Sequence, residues 1–196
     1  VVDDASTPPF ALATPLSQLR TVRQPIPQGG AASKRLGTEA ALGEFVAYLD
    51  DDDLLSPNFL SRVARAFEQN PELDVVFVGV DWFGQNGAHS QKVHDEAMAS
   101  ILSECRPRDA GEEVCIFDHG LLAALIRTVP MPFQRPVVRR SALPRIGLHR
   151  ADCLLWDCDW ALRAALTSRC AIIGSGLYLQ RDNGQGYHSL SLIHIS

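Results

Sequence analysis

The chain has 196 residues, of which 46% are hydrophobic and 21% charged, and its net charge is −5. This is the composition of one ordinary globular core: no apolar run is long enough to span a bilayer, and Lys and Arg are too scattered to track a nucleic-acid backbone. The five cysteines (Cys105, Cys115, Cys153, Cys158, Cys170) are odd in number and show no C-x-x-C spacing, which argues against a disulfide framework or a thiolate zinc site. Reduced thiols imply a cytoplasmic setting, free or at the cytoplasmic face of the membrane.

In chain order, Val1-Val2-Asp3-Asp4-Ala5-Ser6-Thr7 reads as the end of a buried strand entering an acidic, hydroxyl-rich loop. Residues 8–28 hold five prolines and read as loop, with a short helix expected around 14–19. Gly29-Gly30 opens a helix over 31–42 that Gly43 closes. A strand follows over 44–49. Ser56-Pro57 starts a second helix with Phe59, Leu60, Val63 and Phe67 on one face, and Asn70-Pro71 ends it. A buried strand is expected at 73–80 and a hairpin or extended excursion over 82–93 around Asn86-Gly87. Helices over 96–104 and 119–128 precede a proline-bearing linker at 130–136. A short strand at 136–140, a short helix at 141–146, a firmer helix at 157–168 and strands at 171–174 and 177–180 complete the chain. Strands alternating with helices predict an α/β fold with a mostly parallel central sheet flanked by helices. In such sheets ligands bind beyond the carboxyl ends of the strands, where Asp4 and Asp50 both fall.

The most informative stretch is Phe45-Val46-Ala47-Tyr48-Leu49 running into Asp50-Asp51-Asp52-Asp53. A buried strand cannot continue through four carboxylates, so the chain must leave the core at Asp50 and present its acids at a sheet edge. Carboxylates this close repel one another unless a cation sits among them, and Mg2+ or Mn2+ suits such oxygens. A calcium loop of the EF-hand kind is excluded, because its sixth and twelfth positions would be Leu55 and Ser61. A phosphotransferase of the haloacid-dehalogenase kind accepts Asp50-x-Asp52 but not Leu54. A plain solvated loop at the start of the next helix needs one acid rather than four.

Three segments in fixed order carry a more specific pattern: Val1-Val2-Asp3-Asp4-Ala5-Ser6-Thr7; Gly30-Ala31-Ala32-Ser33-Lys34-Arg35-Leu36-Gly37 with Ala41 and Gly43; and Ala47-Tyr48-Leu49-Asp50-Asp51-Asp52-Asp53. Val137-Val138-Arg139-Arg140-Ser141-Ala142-Leu143, Ile146-Gly147 and Asp157-Cys158-Asp159-Trp160-Ala161-Leu162-Arg163 extend it. The chain thereby resembles a family 2 glycosyltransferase of the GT-A fold over residues 1–189. The resemblance implies transfer of a sugar from a nucleotide-diphosphate sugar to an acceptor hydroxyl of a glycan, lipid or small molecule, with inversion and with Mg2+ or Mn2+ as cofactor. It assigns Asp3 or Asp4 to the nucleotide base, Lys34 to the neighbourhood of the nucleotide, Asp50 to the ribose side, Asp52 to the metal and Asp53 to support. Asp157 becomes the general base, with Trp156 where glutamate is usual and Arg35 where asparagine is usual.

Plainer readings stand beside these roles. Asp157 could cap a helix, Lys34 could sit on a solvated helix face, and Asp159 lies four residues before Arg163 as an ion pair would. Trp82, Trp156 and Trp160 suit packing, with Trp156 the candidate for sugar stacking. His188 reads as a surface histidine, with a metal-ligand role as the rival. A non-catalytic sugar-nucleotide-binding module is the remaining alternative function.

Both ends read as cut. The chain opens without Met, and a first βα unit is expected upstream; residues 190–196 resemble translated library-adapter sequence. On that reading residues 1–189 form a partial domain that is poorly stable and inactive alone.

Overall fold

A computed structural model describes residues 1–14 and 16–182, so the expectations for His188 and for residues 190–196 lie outside the described residues. Strand β1 (Val2–Asp3) runs parallel to β2 (Val22–Arg23), with Asp3 opposite Arg23. The stretch between them makes turns, including Leu19 N–H to the Leu16 carbonyl at 3.0 Å, in place of the expected short helix. Helix α1 (Gly30–Ala40) stops at Ala41, which is extended, two residues ahead of the expected glycine stop. Strands β3 (Phe45–Ala47) and β4 (Leu54–Leu55) bracket the acidic run. Helix α2 (Phe59–Gln69) buries Phe59, Val63, Ala66 and Phe67 at helical spacing and leaves Leu60 in solvent.

Strand β5 (Val75–Phe83) outlasts its prediction by three residues and leads directly into α3 (Gly87–Cys105). No hairpin forms at Asn86-Gly87. A Cβ on Gly87 would lie 3.1 Å from the Trp82 carbonyl, and the Gln91 side chain accepts the Trp82 N–H at 2.9 Å, so the chain doubles back tightly as a helix. Met98, Ile101, Leu102 and Cys105 then lay that helix on the core, a tertiary contact that overrides the turn signal.

The short β6 (Arg108–Asp109) and β7 (Val114–Phe117) follow, then α4 (Leu121–Arg127), a 3-10 turn (Met131–Gln134) and β8 (Pro136–Arg139). Helices α5 (Leu143–Ile146) and α6 (Trp156–Thr167) precede β9 (Cys170–Arg181). The two closing strands predicted are one strand with an irregularity at 174–176.

The central sheet has the order β3-β8-β5-β9-β7-β6, with β4 paired to β9. The expectation of a mostly parallel sheet is corrected here: among the described residues of this sheet only β5 and β9 pair in parallel, the others antiparallel. The cause is topological. Strand β8 returns between β3 and β5, and local periodicity cannot show where a late strand inserts. Strands β3, β5 and β9 still share one direction, so their carboxyl ends share one edge. One sheet face packs Phe117, Leu125, Phe133 and Trp160 beneath α3, α4 and α6; the other packs Phe59, Phe67, Leu73 and Tyr178 beneath α2.

At Gly79, β5 and β9 touch backbone to backbone: a Cβ there would lie 2.5 Å from both the Gly174 and Ser175 carbonyl oxygens. Backbone on both sides cannot yield without breaking the register. Gly79→Ala is expected to destabilise the fold by about 2–3 kcal/mol, measured by urea denaturation. Gly174→Ala, whose Cβ meets nothing nearer than 3.8 Å, is the control expected within about 1 kcal/mol of wild type.

Candidate functional site

The acidic run is a turn and not an extended strand end. Asp53 N–H donates to the Asp50 carbonyl at 3.2 Å, which brings Asp50 and Asp53 to the inner side together and leaves Asp51 and Asp52 exposed. An extended backbone would point Asp50 and Asp52 to the same side; the turn separates them. Asp50 N–H donates to the Tyr178 hydroxyl at 3.1 Å, and that hydroxyl donates to Asp53 Oδ2 at 2.8 Å. Asp53 Oδ1 also accepts the Arg181 N–H at 2.8 Å, and Arg181 Nε reaches the Asp52 carbonyl at 2.9 Å. Burial raises the Asp53 carboxyl above its usual pKa. Among the described residues the Asp52 carboxylate has no hydrogen-bond or ion-pair partner.

Asp50 is held between two cations. Lys34 Nζ lies 3.0 Å from Oδ1 and Arg135 Nη2 lies 3.4 Å from Oδ2. Burial alone would raise its pKa; Lys34 and Arg135 outweigh that and hold it below the usual value. Lys34 is itself largely enclosed, its side chain 11% exposed, with its ammonium 4.9 Å from the centre of the Trp156 ring, and burial lowers its pKa against the pull of Asp50 and, more weakly, Asp157. It is thus no solvated helix-face lysine. Trp156 packs on the start of α1, where a Cβ on Gly30 would come within 3.2 Å of its ring.

Asp157 lies in the first turn of α6 and is half-buried. The cap position is Leu155, so the capping alternative fails; Asp157 Oδ1 accepts the next residue's N–H, from Cys158, at 2.8 Å. Burial, followed by the Asp157 charge, pushes the Cys158 thiol up to about 12, so it stays protonated beside the carboxylate. Asp159 pairs with Arg163 at 2.8 Å, and Arg163 also binds the Leu148 carbonyl at 3.0 Å, a structural clamp across the start of α6.

The two N-terminal acids are committed to backbone. Asp3 is buried and accepts N–H bonds from Ser6 at 2.8 Å and Phe10 at 3.1 Å, with Arg23 as its ion-pair partner. These bonds, Ser6 foremost, hold its carboxyl well below the usual range. Asp4 accepts the Gln28 N–H and the Gly29 N–H, each at 2.7 Å, and Gln24 Nε2 at 2.8 Å, so it sets the loop that enters α1.

Among the described residues no group of three or more His, Cys, Asp or Glu forms a metal-binding cluster. Asp50 and Asp53 are already neutralised by Lys34, Arg135 and Tyr178. Asp51 and Asp52 are the carboxylates of the run left without a partner among the described residues, and Mg2+ needs only one or two from the protein when substrate phosphates supply the rest. The donor set fits a metal shared with a substrate.

Three central residues were not legible as site residues. Arg135 lay in the predicted linker, Tyr178 in a closing strand, and His149 in a stretch without periodicity. His149 is buried among Tyr48, Trp156 and Trp160, stacked on Trp160 at 5.6 Å. The only sequence signal was their polarity within apolar surroundings.

The family model described as glycosyl transferase family 2 matches residues 1–129. An uncharacterized glycosyltransferase of Haemophilus influenzae is 30% identical over 78 residues, 39% of this chain and 26% of that protein. The O-antigen biosynthesis protein RfbC of Myxococcus xanthus is 33% identical over 96 residues, 46% of this chain and 8% of that protein. The matched segment thus spans only a small part of these relatives. The crystal structure of S. aureus TarS residues 1–349 superposes with a TM-score of 0.57 at 14% identity, covering 83% of this chain and 43% of TarS 1–349. That likeness establishes the α/β GT-A fold, and its coverage extends beyond residue 129.

His149 makes one property of the site measurable. Burial first, then Lys34 and Arg163, push its pKa from 6.5 down to about 3, so it is neutral when folded and titrates near 6.5 when unfolded. Its contribution is complete above pH 6.5 and is lost as pH falls from 6.5 toward 3, at up to about 1.4 kcal/mol per pH unit. Urea midpoints of wild type are expected to drop between pH 6.5 and 5 more steeply than those of His149→Phe. Equal slopes would show that His149 protonates freely in the fold.

Proposed function

Because this chain belongs to glycosyl transferase family 2, we propose that it supplies the donor and base half of an inverting, cation-dependent sugar transfer from a nucleotide-diphosphate sugar to an acceptor hydroxyl. The observation that carries this reading is the meeting of three distant segments at one lysine: Lys34 from α1 touches Asp50 after β3, stacks on Trp156 at the head of α6, and feels the charge of Asp157. Acid, cation and base thus meet at the sheet edge where ligands of α/β folds bind.

Asp4 shapes the entry to α1 on the nucleotide side, and the buried Asp3 holds the loop behind it. Asp50 keeps a lone pair on each oxygen beyond those used by Lys34 and Arg135, enough to accept ribose hydroxyls. Asp52 would hold the divalent cation, which when bound would supply charge neutralisation at the departing diphosphate. Lys34 adds a fixed positive charge beside it. Asp157 has Oδ1 tied to the Cys158 N–H and the Cys158 thiol beside its carboxylate, which orients it to take the proton of an acceptor hydroxyl as the anomeric bond forms. A base opposite the leaving group gives inversion.

The phosphotransferase alternative needs Asp50 as a nucleophile, and a carboxylate neutralised on both oxygens by buried cations is a poor one. RfbC acts in O-antigen biosynthesis, which supports a glycan or glycan-lipid acceptor here.

The test uses the full natural reading frame with a panel of nucleotide-diphosphate sugars, following nucleoside diphosphate release and product anomeric configuration. Asp157→Asn is expected to lower kcat at least ~100-fold with the donor KM within a few-fold. Asp52→Asn is expected to raise the Mn2+ concentration needed for half-maximal rate about tenfold or more. Full transfer by Asp157→Asn would remove the base assignment. Normal nucleotide and metal binding without product from any acceptor would favour the non-catalytic module.

A further inference from the structure

Arg135 has no part in the chemistry above, yet its backbone is anchored on both sides. Before it, the 3-10 turn buries Phe133 edge-on to Phe77 at 5.0 Å; after it, β8 is fixed between β3 and β5. Continuing the antiparallel register from Ala47 opposite Val137 by two positions sets Leu49 opposite Arg135. The side chain therefore starts next to the acidic turn by construction of the sheet.

Its side chain is 7% exposed. Nη2 reaches Asp50 at 3.4 Å, Asp53 at 3.8 Å and Gln180 Oε1 at 3.1 Å; Nη1 donates to the Gln134 carbonyl at 3.2 Å. The guanidinium lies over the Tyr178 ring at 4.7 Å, and Nε has no hydrogen-bond partner among the described residues. A buried guanidinium with an unfilled donor is an expensive feature, and β8 itself needs no charge at that point. Its position beneath Asp50 and Asp53 keeps it from touching a substrate.

We infer that Arg135 is the positioning residue of the acidic turn: with Tyr178 it holds Asp50 and Asp53 inward, and by doing so leaves the Asp51 and Asp52 carboxylates turned outward, with Asp52 as the metal ligand. The inference rests on the proposed donor site for what Asp52 binds, but the clamp itself is independent of it. Removing Arg135 leaves Asp50 and Asp53 to repel each other at the two ends of a four-residue turn. The turn then opens and Asp52 loses its fixed direction.

The experiment uses Arg135→Met and Arg135→Lys in the full reading frame, with free Mn2+ titrated by electron paramagnetic resonance and amide hydrogen exchange followed without metal. Arg135→Met is expected to raise the Mn2+ Kd about tenfold or more and to speed exchange at the Asp50 and Asp53 amides while α2 and β5 amides keep wild-type rates. In turnover assays the apparent metal constant rises more than kcat falls, and Arg135→Lys recovers part of the Mn2+ affinity because it keeps the charge. A folded Arg135→Met with wild-type Mn2+ affinity overturns the inference. If wild type binds no Mn2+, the metal assignment of the proposed function fails and exchange alone decides the clamp: unchanged Asp50 and Asp53 amides refute it. Should Arg135→Met not fold, Tyr178→Phe replaces it, with the same shifts expected at smaller size and unchanged values overturning the inference.

Discussion

The carboxylate of Asp50 between Lys34 and Arg135 is the contact on which the site depends. It ties α1 to the end of β3 on one side and to the start of β8 on the other. Neither cation would be tolerable in that partly buried position alone, since desolvation of a lone charge costs several kcal/mol. Together the three groups and Asp53 nearly cancel, and the apolar sheet edge can carry them. The pairing adds ionic contacts to the β3–β8 ladder and to the Thr38–Tyr48 hydroxyl contact that also join these elements.

Around this pair the protein separates what is held from what is offered. Tyr178 and the Arg181 N–H satisfy Asp53, while backbone N–H groups satisfy both Asp3 and Asp4. His149, kept neutral among three aromatic rings, adds polarity to the wall behind Lys34 without adding a further charge. Of the site acids, what stays available is small: the exposed carboxylates of Asp51 and Asp52, the Asp157 carboxylate beyond its bonds to Cys158, and the spare lone pairs of Asp50. Such economy suits a transferase site, where catalysis depends on charges placed in advance and not rearranged during reaction.

The helices were largely legible because each carries its own periodicity. Phe59, Val63 and Phe67 mark α2, and α6 follows from the apolar spacing around Trp160. The failures have physical causes. Asn86-Gly87 is a strong local turn signal, but the apolar face from Met98 to Cys105 needed a core to cover, so a helix began there. The sheet was expected to be mostly parallel because strands alternate with helices; β8 inserts between β3 and β5 instead, and no residue within β8 encodes its neighbours. Within the site, Asp50, Asp52, Lys34 and Asp157 stood out by charge and by order along the chain. Arg135, Tyr178 and His149 did not, since each looks like an isolated polar residue until its partners arrive.

By itself, the sequence determined that an apolar strand ends in acid, that a glycine-led helix precedes it, and that a late helix begins with a carboxylate, for these are local matters of hydrophobicity and backbone propensity. Tertiary structure alone decided which acids are spent and which are free. Asp50 and Asp53 face inward because a turn and a phenol 125 residues from Asp53 hold them there, while Asp51 and Asp52, chemically identical, face water. Four like residues in a row carry no information about that division; it arises only when cations and donors from distant strands reach some of them and not others.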